Sequence, residues 1–317
     1  CDTMKQDEQI NAFFELGIEA VQPMSALSGR LTGDVLETIA GLLNLDELET
    51  GQEESTDLHL AIVGMPNVGK SSLVNALLQK EQTIVTPIAG TTRDSIDTRL
   101  KWYGKEIVLI DTAGLRKKSK VQDNVEFYST VRTNRSIDQC DVALVLIDAK
   151  KGFGNQDRSI VDQVIKAGKG LILIVNKWDL VEKDTHTMKE TTEKIQKQFP
   201  LLDHFPILFV SALTKQRVSG ILKEAFKVYD NYNNTISTNA LNKFLERVIK
   251  TRSVPAEKGK LIRIKFIKQV SSAPPLFACY ANYPKLIPMH YKRFMENQLR
   301  QAFNFKGVPI RFSFRKS

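Results

Sequence analysis

Three short runs in the sequence could hold a phosphorylated nucleotide between them. Gly64-Met65-Pro66-Asn67-Val68-Gly69-Lys70-Ser71 follows an apolar run at 58–63 and precedes the periodic Leu73, Val74, Leu77 and Leu78. Strand before and helix after is the setting of a phosphate loop. Backbone N–H groups from Asn67, Val68, Gly69, Lys70, Ser71 and Ser72 are then expected to surround phosphate oxygens, with the helix start adding its dipole. Lys70 is placed to bridge the β and γ phosphates, and the Ser71 hydroxyl to ligate Mg2+. Asp111-Thr112-Ala113-Gly114 ends a second apolar run at 107–110. There Asp111 is expected to hold magnesium through a water, and the Gly114 N–H to meet the γ phosphate.

Asn176-Lys177-Trp178-Asp179, after the run 171–175, gives the base its identity. Guanine presents two adjacent donors that a carboxylate accepts as a pair, and adenine lacks that pair. Asp179 is therefore assigned to the base edge, the Lys177 stem to the base plane and Asn176 to bracing the phosphate loop. Ser211-Ala212-Leu213 closes the site, with the Ala212 N–H offered to the guanine O6. Between these motifs lies Gly90-Thr91-Thr92-Arg93-Asp94 in a polar stretch suited to a switch, and Thr92 rather than Thr91 is expected to complete the magnesium shell. Leu115 follows Gly114 and cannot polarise water. Among these residues the catalytic set is Lys70, Thr92 and Gly114; the water-orienting group comes from elsewhere, or the rate stays low until a partner or cation supplies the missing field.

The elements that must position these residues alternate. Apolar runs at 58–63, 107–110, 142–147, 171–175 and 207–210 are separated by helix-like stretches, which predicts an α/β fold with a mostly parallel sheet. This GTPase domain spans 58–234. Ahead of it, 46–57 is acidic and aperiodic and reads as a linker. Residues 21–43 repeat the order of 207–228, each with a strand, a Ser-Ala-Leu turn and an amphipathic helix. Residues 1–45 are accordingly expected to be the closing remnant of another nucleotide-binding domain. After 234 the pattern becomes helix, strand, strand, helix, strand, a small α+β unit at 235–317.

Charge is distributed unevenly. Residues 1–58 hold 2 Lys and Arg against 13 Asp and Glu, whereas 236–317 hold 17 against 3. A basic concentration of this kind suits nucleic acid, with Lys260, Arg263, Lys265, Lys292, Arg293, Arg311, Arg315 and Lys316 as candidate contacts. No apolar run approaches the roughly 20 residues of a membrane helix. Cys1, Cys140 and Cys279 lack pairing or metal spacing and are expected to be free thiols in a reducing, cytoplasmic setting. The four histidines lack ligand spacing.

Taken together, the motifs resemble the TRAFAC class of GTPases, and the chain is similar to the Der (EngA) family of tandem-domain ribosome-assembly GTPases. The resemblance rests on Gly64–Ser71, Gly90 to Asp94, Asp111 to Gly114, Asn176 to Asp179, Thr238-Asn239-Ala240-Leu241-Asn242, Pro284-Lys285-Leu286-Ile287-Pro288 and Gly307-Val308-Pro309-Ile310. It implies two GTPase domains followed by a KH-like domain, with Asp2 matching the end of the first domain's guanine motif. It also implies a role in maturing the large ribosomal subunit, contact with its rRNA, and a monomer. By the same resemblance Asn67 would ligate K+ near the phosphates and so join the catalytic set. The terminal unit lacks a Gly-x-x-Gly loop between its helices, the loop with which KH domains clamp a nucleic-acid backbone. The competing reading is an RNA- or ribosome-binding scaffold in which guanine nucleotide is a structural ligand. A GTPase of transfer-RNA modification would need a cofactor-binding domain and a terminal cysteine motif.

Overall fold

The computed structural model describes residues 13, 21–26, 28–42, 57–79, 83–89, 96–112, 125–182, 184 and 186–317. The expectations placed on Asp2, on the linker at 46–56, on Thr92 with the rest of 90–94, and on Gly114 and Leu115 lie outside these residues. The chain divides into two compact units, Cys1–Thr56 and Asp57–Ser317.

In the first unit, a turn at Ser25 leads into helix α1 (Thr32–Leu42). The Ser25 N–H donates to the Arg30 carbonyl at 3.0 Å, and the Ser25 Oγ accepts the Ser28 N–H at 3.1 Å. Residues 21–25 stand outside any regular element, so the strand expected there is not formed.

The second unit carries a seven-stranded sheet. Its strands are β1 (Leu58–Gly64), β2 (Thr83–Ala89), β3 (Ile96–Trp102), β4 (Lys105–Leu109), β5 (Val142–Asp148), β6 (Gly170–Asn176) and β7 (Ile207–Phe209), in the order β2-β3-β4-β1-β5-β6-β7. The five from β4 to β7 run parallel, while β2 and β3 pair antiparallel at one edge. All five expected strands form. The edge pair was not anticipated, because Asp97, Arg99 and Lys101 interrupt β3 and Pro87 interrupts β2. Their positions explain the pattern: Thr98 and Leu100 are fully buried between charged neighbours, and a proline without an N–H belongs on an edge strand.

Helices α2 (Lys70–Leu78), α3 (Val125–Gln139), α4 (Asn155–Ala167), α5 (Thr187–Gln198) and α6 (Ser219–Tyr232) cover the sheet. Alternate residues of each central strand enter different cores. Leu60, Ile62, Leu144 and Ile172 meet Leu73 and Leu77 of α2 and Ile221 and Leu222 of α6. On the other face, Ala61, Val63, Val145 and Leu173 meet Ile137, Val161, Val164 and Ile195. With both faces covered, every residue of β5 and β6 is buried, which is why these strands read as continuous apolar runs.

The chain closes with α7 (Thr238–Thr251), β8 (Ile264–Ser272), β9 (Pro275–Ala281), α8 (Met289–Ala302) and β10 (Arg311–Lys316). The Ser237 hydroxyl caps α7 by accepting the Ala240 N–H. The small sheet has the order β10-β9-β8, with β8 antiparallel and β10 parallel to β9. Both helices pack on one of its faces through Phe244, Leu245, Tyr291, Met295 and Leu299.

Val308 does not enter the last strand as its alternation suggested. It is buried with the GTPase core instead. Gly307, at φ 85°, donates to the His204 carbonyl and accepts the Leu171 N–H, both at 2.8 Å. A side chain on Gly307 would run into Val228 and Pro206. Arg300 pins the same loop from within the small unit, donating to the carbonyls of Phe305 at 3.1 Å and Val308 at 3.0 Å. The loop 305–308 thus belongs to both parts, and they share one compact unit.

Candidate functional site

The carboxyl ends of β1, β4, β5, β6 and β7 bring the three motifs to one end of the sheet, where ligand sites of open α/β sheets form. The loop after β1 has little freedom. Gly64 lies at φ 145°, where a Cβ would strike the Leu146 carbonyl, and Gly69 at φ 100°, where a Cβ would strike the Asn176 amide. Asn67 also adopts a left-handed conformation, at φ 64°, and its side chain is exposed. Lys70 opens α2, and its ammonium donates to the carbonyls of Gly64 at 2.7 Å and Met65 at 2.8 Å. Burial holds its pKa below the usual lysine value. Phosphate oxygens would take over these donors as better acceptors.

Asn176 joins two of the motifs. Its Nδ2 donates to the Val68 carbonyl at 2.8 Å, bracing the phosphate loop as expected, and its Oδ1 accepts the Ala212 N–H at 3.0 Å. The Ala212 N–H, expected at the guanine O6, therefore meets Asn176 in this structure. The Leu213 side chain is 81% exposed, which leaves its backbone as the part that could serve the site. Lys177 sits at φ 62° and its ammonium donates to Asp148 Oδ2 at 2.7 Å. That fixes the far end of the stem expected to cover the base. Among the described residues, Asp179 Oδ1 is buried and accepts no hydrogen bond. An orphaned carboxylate oxygen beside this loop fits the paired donors of guanine.

On the magnesium side, the Asp111 N–H donates to Asp97 Oδ1 at 2.9 Å, and Arg132 Nε lies 3.4 Å from Asp111 Oδ2. Next to it the hydroxyls of Thr98 and Thr112 form a buried pair at 2.7 Å. Asp111 and the exposed Ser71 offer the oxygen donors a hard divalent cation prefers. Among the described residues, no group of three or more His, Cys, Asp or Glu could hold a metal by itself. Burial pushes the Cys140 and Cys279 thiols up to about 12, so neither is a nucleophile at neutral pH.

Asp148, Asp97 and Arg132 were missed by the sequence reading. Asp148 could have been found: it closes β5 at the end of the sheet where the motifs gather. Burial works to raise its carboxyl, but the Lys177 ammonium and the Lys150 N–H outweigh that, and the net direction is down.

A phosphate loop, a strand-end Asp on the cation side and a guanine-reading Asn-Lys-x-Asp run at one sheet end define a P-loop GTPase. A family described as the 50S ribosome-binding GTPase matches residues 59–177, and the KH-domain-like C-terminal family of EngA bacterial GTPase enzymes matches 235–315. GTPase Der of Amoebophilus asiaticus is 45% identical over 304 residues, covering 96% of this chain and 69% of that protein. GTPase Der of Chlorobium phaeobacteroides is 46% identical over 294 residues, covering 92% and 67%. The chain belongs to the GTPase Der family.

Proposed function

We propose that this GTPase works as a nucleotide-dependent switch in assembly of the large ribosomal subunit, where its basic terminal unit contacts rRNA. One observation carries the reading. Strand β6 ends at Asn176, which braces the phosphate loop, and near its start the Leu171 N–H holds Gly307 of the basic unit. The same strand thus joins the guanine site to the basic unit. The matching families, described as 50S ribosome-binding GTPase and EngA C-terminal domain, support the same target.

Within the site, Asp179 reads guanine, Lys177 covers the base and Lys70 holds the phosphates. Ser71, Asp111 and Thr92 are assigned to Mg2+, which when bound neutralises charge on the phosphate oxygens. Asn67 is assigned to K+, which would offset charge where Leu115 cannot orient water. The protein is taken to act as a cytoplasmic monomer, and residues 1–45 as the end of a further GTPase domain. Among the described residues, no helix is long and apolar enough to cross a membrane.

The test is capture of the protein by large-subunit particles at physiological salt. A nonhydrolysable GTP analogue should retain more protein than GDP, and Lys70→Ala should abolish the contrast. Equal capture in both nucleotides would leave a scaffold, and no capture in either would remove the ribosome from the reading. The potassium assignment is tested separately by hydrolysis rates in K+ and Na+ at constant ionic strength. Potassium should be faster, with Asn67→Ala reducing the difference; equal rates would remove it.

A further inference from the structure

The small sheet has two faces and its helices cover one. Phe277, Cys279 and Ala281 of β9 point to that side with Ile267 of β8, and all are buried. By the two-residue period, Tyr280 and Ala278 point to the other face. Their pairing partners across the sheet are Phe266 and Lys268 of β8 and Arg315 and Ser313 of β10. Part of this outer face is closed. At the Leu276 end, Arg311 bonds the Lys166 carbonyl at the end of α4, and Pro274 lies against Gly168. The opposite end is open.

At that open end an aromatic pair stands beside cations. The rings of Phe266 and Tyr280 are 4.2 Å apart and 8° from parallel, yet Phe266 is 40% exposed. Arg315 flanks Tyr280 on the next strand and its Nε reaches the Ser313 hydroxyl. Lys268, one pair along, is exposed, and Lys260 lies 4.9 Å over the ring of Tyr283 at the same end of the β8–β9 pair. A cross-strand aromatic pair adds to sheet stability. That role does not need an exposed ring surrounded by positive charge.

We propose that this open end binds unpaired RNA bases, which extend the Phe266–Tyr280 stack while Lys268 and Arg315 hold the adjoining phosphates. The inference rests on the ribosome-directed reading and gives it a site. Every base has a π face, and flat rings within a basic groove bind single strands on that account. In a duplex the base faces are hidden, so the same surface should tell unpaired from paired RNA. The excess of 17 basic over 3 acidic residues in 236–317 supplies the attraction, and the ring pair supplies the selectivity. An acidic peptide would satisfy the cations and leave the parallel rings unused, which favours RNA as the occupant.

The experiment measures binding of the whole chain to a fluorescein-labelled single-stranded RNA octamer of mixed sequence, and to the same strand annealed to its complement. Phe266→Leu and Tyr280→Leu keep apolar bulk on the sheet. Retained GDP binding and an unchanged far-ultraviolet spectrum would show that both variants fold. Each should weaken octamer binding by roughly tenfold with the slope against salt unchanged, and leave duplex binding as it was. Lys268→Gln and Arg315→Gln should instead lower the slope, by about 0.7 for each phosphate left without its cation. Equal octamer affinity for wild type and both aromatic variants would overturn the proposal. So would binding of an acidic peptide spanning 46–57 that is abolished in Phe266→Leu while octamer binding persists, since the face would then serve the chain's own acidic segment. If particle capture survives either result, the site falls and the ribosome reading stands. If neither octamer nor particle binds, both fall together.

Discussion

At Ser25 and again at Ser211 the chain makes the same turn. In each, the serine N–H donates to the carbonyl five residues on, at 3.0 Å to Arg30 and 3.2 Å to Gln216, and the hydroxyl accepts the N–H three residues on, at 3.1 Å in both. Positive φ values fall in step, at Gly29 and Leu31 in one and at Lys215 and Arg217 in the other. A helix follows each turn. The surroundings differ. Ser211 follows β7, a strand of the sheet, Ala212 is buried and its N–H is held by Asn176, whereas Ala26 is exposed and residues 21–24 before Ser25 form no strand. The turn is therefore a local product of its own residues, and a nucleotide site arises only where Asn176, Asp179 and the phosphate loop meet it. The shared geometry supports the proposal that residues 1–45 belong to a second domain of the same kind.

The comparison breaks most readily at the base. If identity is read by Asp179 and not by the turn, Asp179→Asn should lower GTP affinity by about 100-fold and raise affinity for xanthosine triphosphate. The amide replaces one acceptor by a donor, and a hydrogen bond to a charged group is worth about 1.5–3 kcal/mol. Titration of both nucleotides at fixed magnesium measures the change. Retained preference for GTP would remove Asp179 from the site.

Asn176→Ala should produce the next largest effect, because it makes the second turn resemble the first. The Val68 carbonyl and the Ala212 N–H both lose their partner, at a cost of about 1–3 kcal/mol for each buried group. GDP affinity should fall at least about tenfold by that magnitude. Amide exchange should quicken at Ala212 and stay unchanged at Ala26. Protection retained at Ala212 would show that the turn holds itself without Asn176.

Much of this site was legible because its chemistry is bound to fixed spacing. The phosphate loop and the guanine motif name themselves, and buried parallel strands announce their length by unbroken apolar runs. What escaped was long-range. Asp148 meets Lys177 across 29 positions, and Arg132 meets Asp111 from a helix whose sequence has no signal for it. Strand β3 was hidden because charged residues alternate with the inward Thr98, Leu100 and Trp102. Val308 was misplaced for the opposite reason. Its apolar side chain fits a strand pattern, but the nearer apolar surface belongs to the other part of the unit. The left-handed backbone at Asp111, φ 53°, likewise has no composition signal, and its N–H meets Asp97 from the neighbouring strand.

The smallest expected effect is the most direct test of the comparison, because the same substitution is made in both turns. Ser211→Ala and Ser25→Ala each remove one hydroxyl acceptor from a buried serine, and the donors they release, on Thr214 and Ser28, belong to exposed residues that water can reach. The local cost should therefore be alike, about 1 kcal/mol in each. Its consequence should not be alike. In the second turn the loosened segment includes Ala212, through which Asn176 is oriented toward the phosphate loop, so GDP should dissociate several-fold faster. In the first turn the loss should destabilise only helix α1, read as faster amide exchange over Thr32–Leu42, with GDP release unchanged. Stopped-flow release of a fluorescent GDP from the two variants separates the cases. Equal acceleration by both would mean that the Ser25 turn also acts on the guanine site, and the distinction between a locally built turn and a nucleotide-reading one would have to be given up.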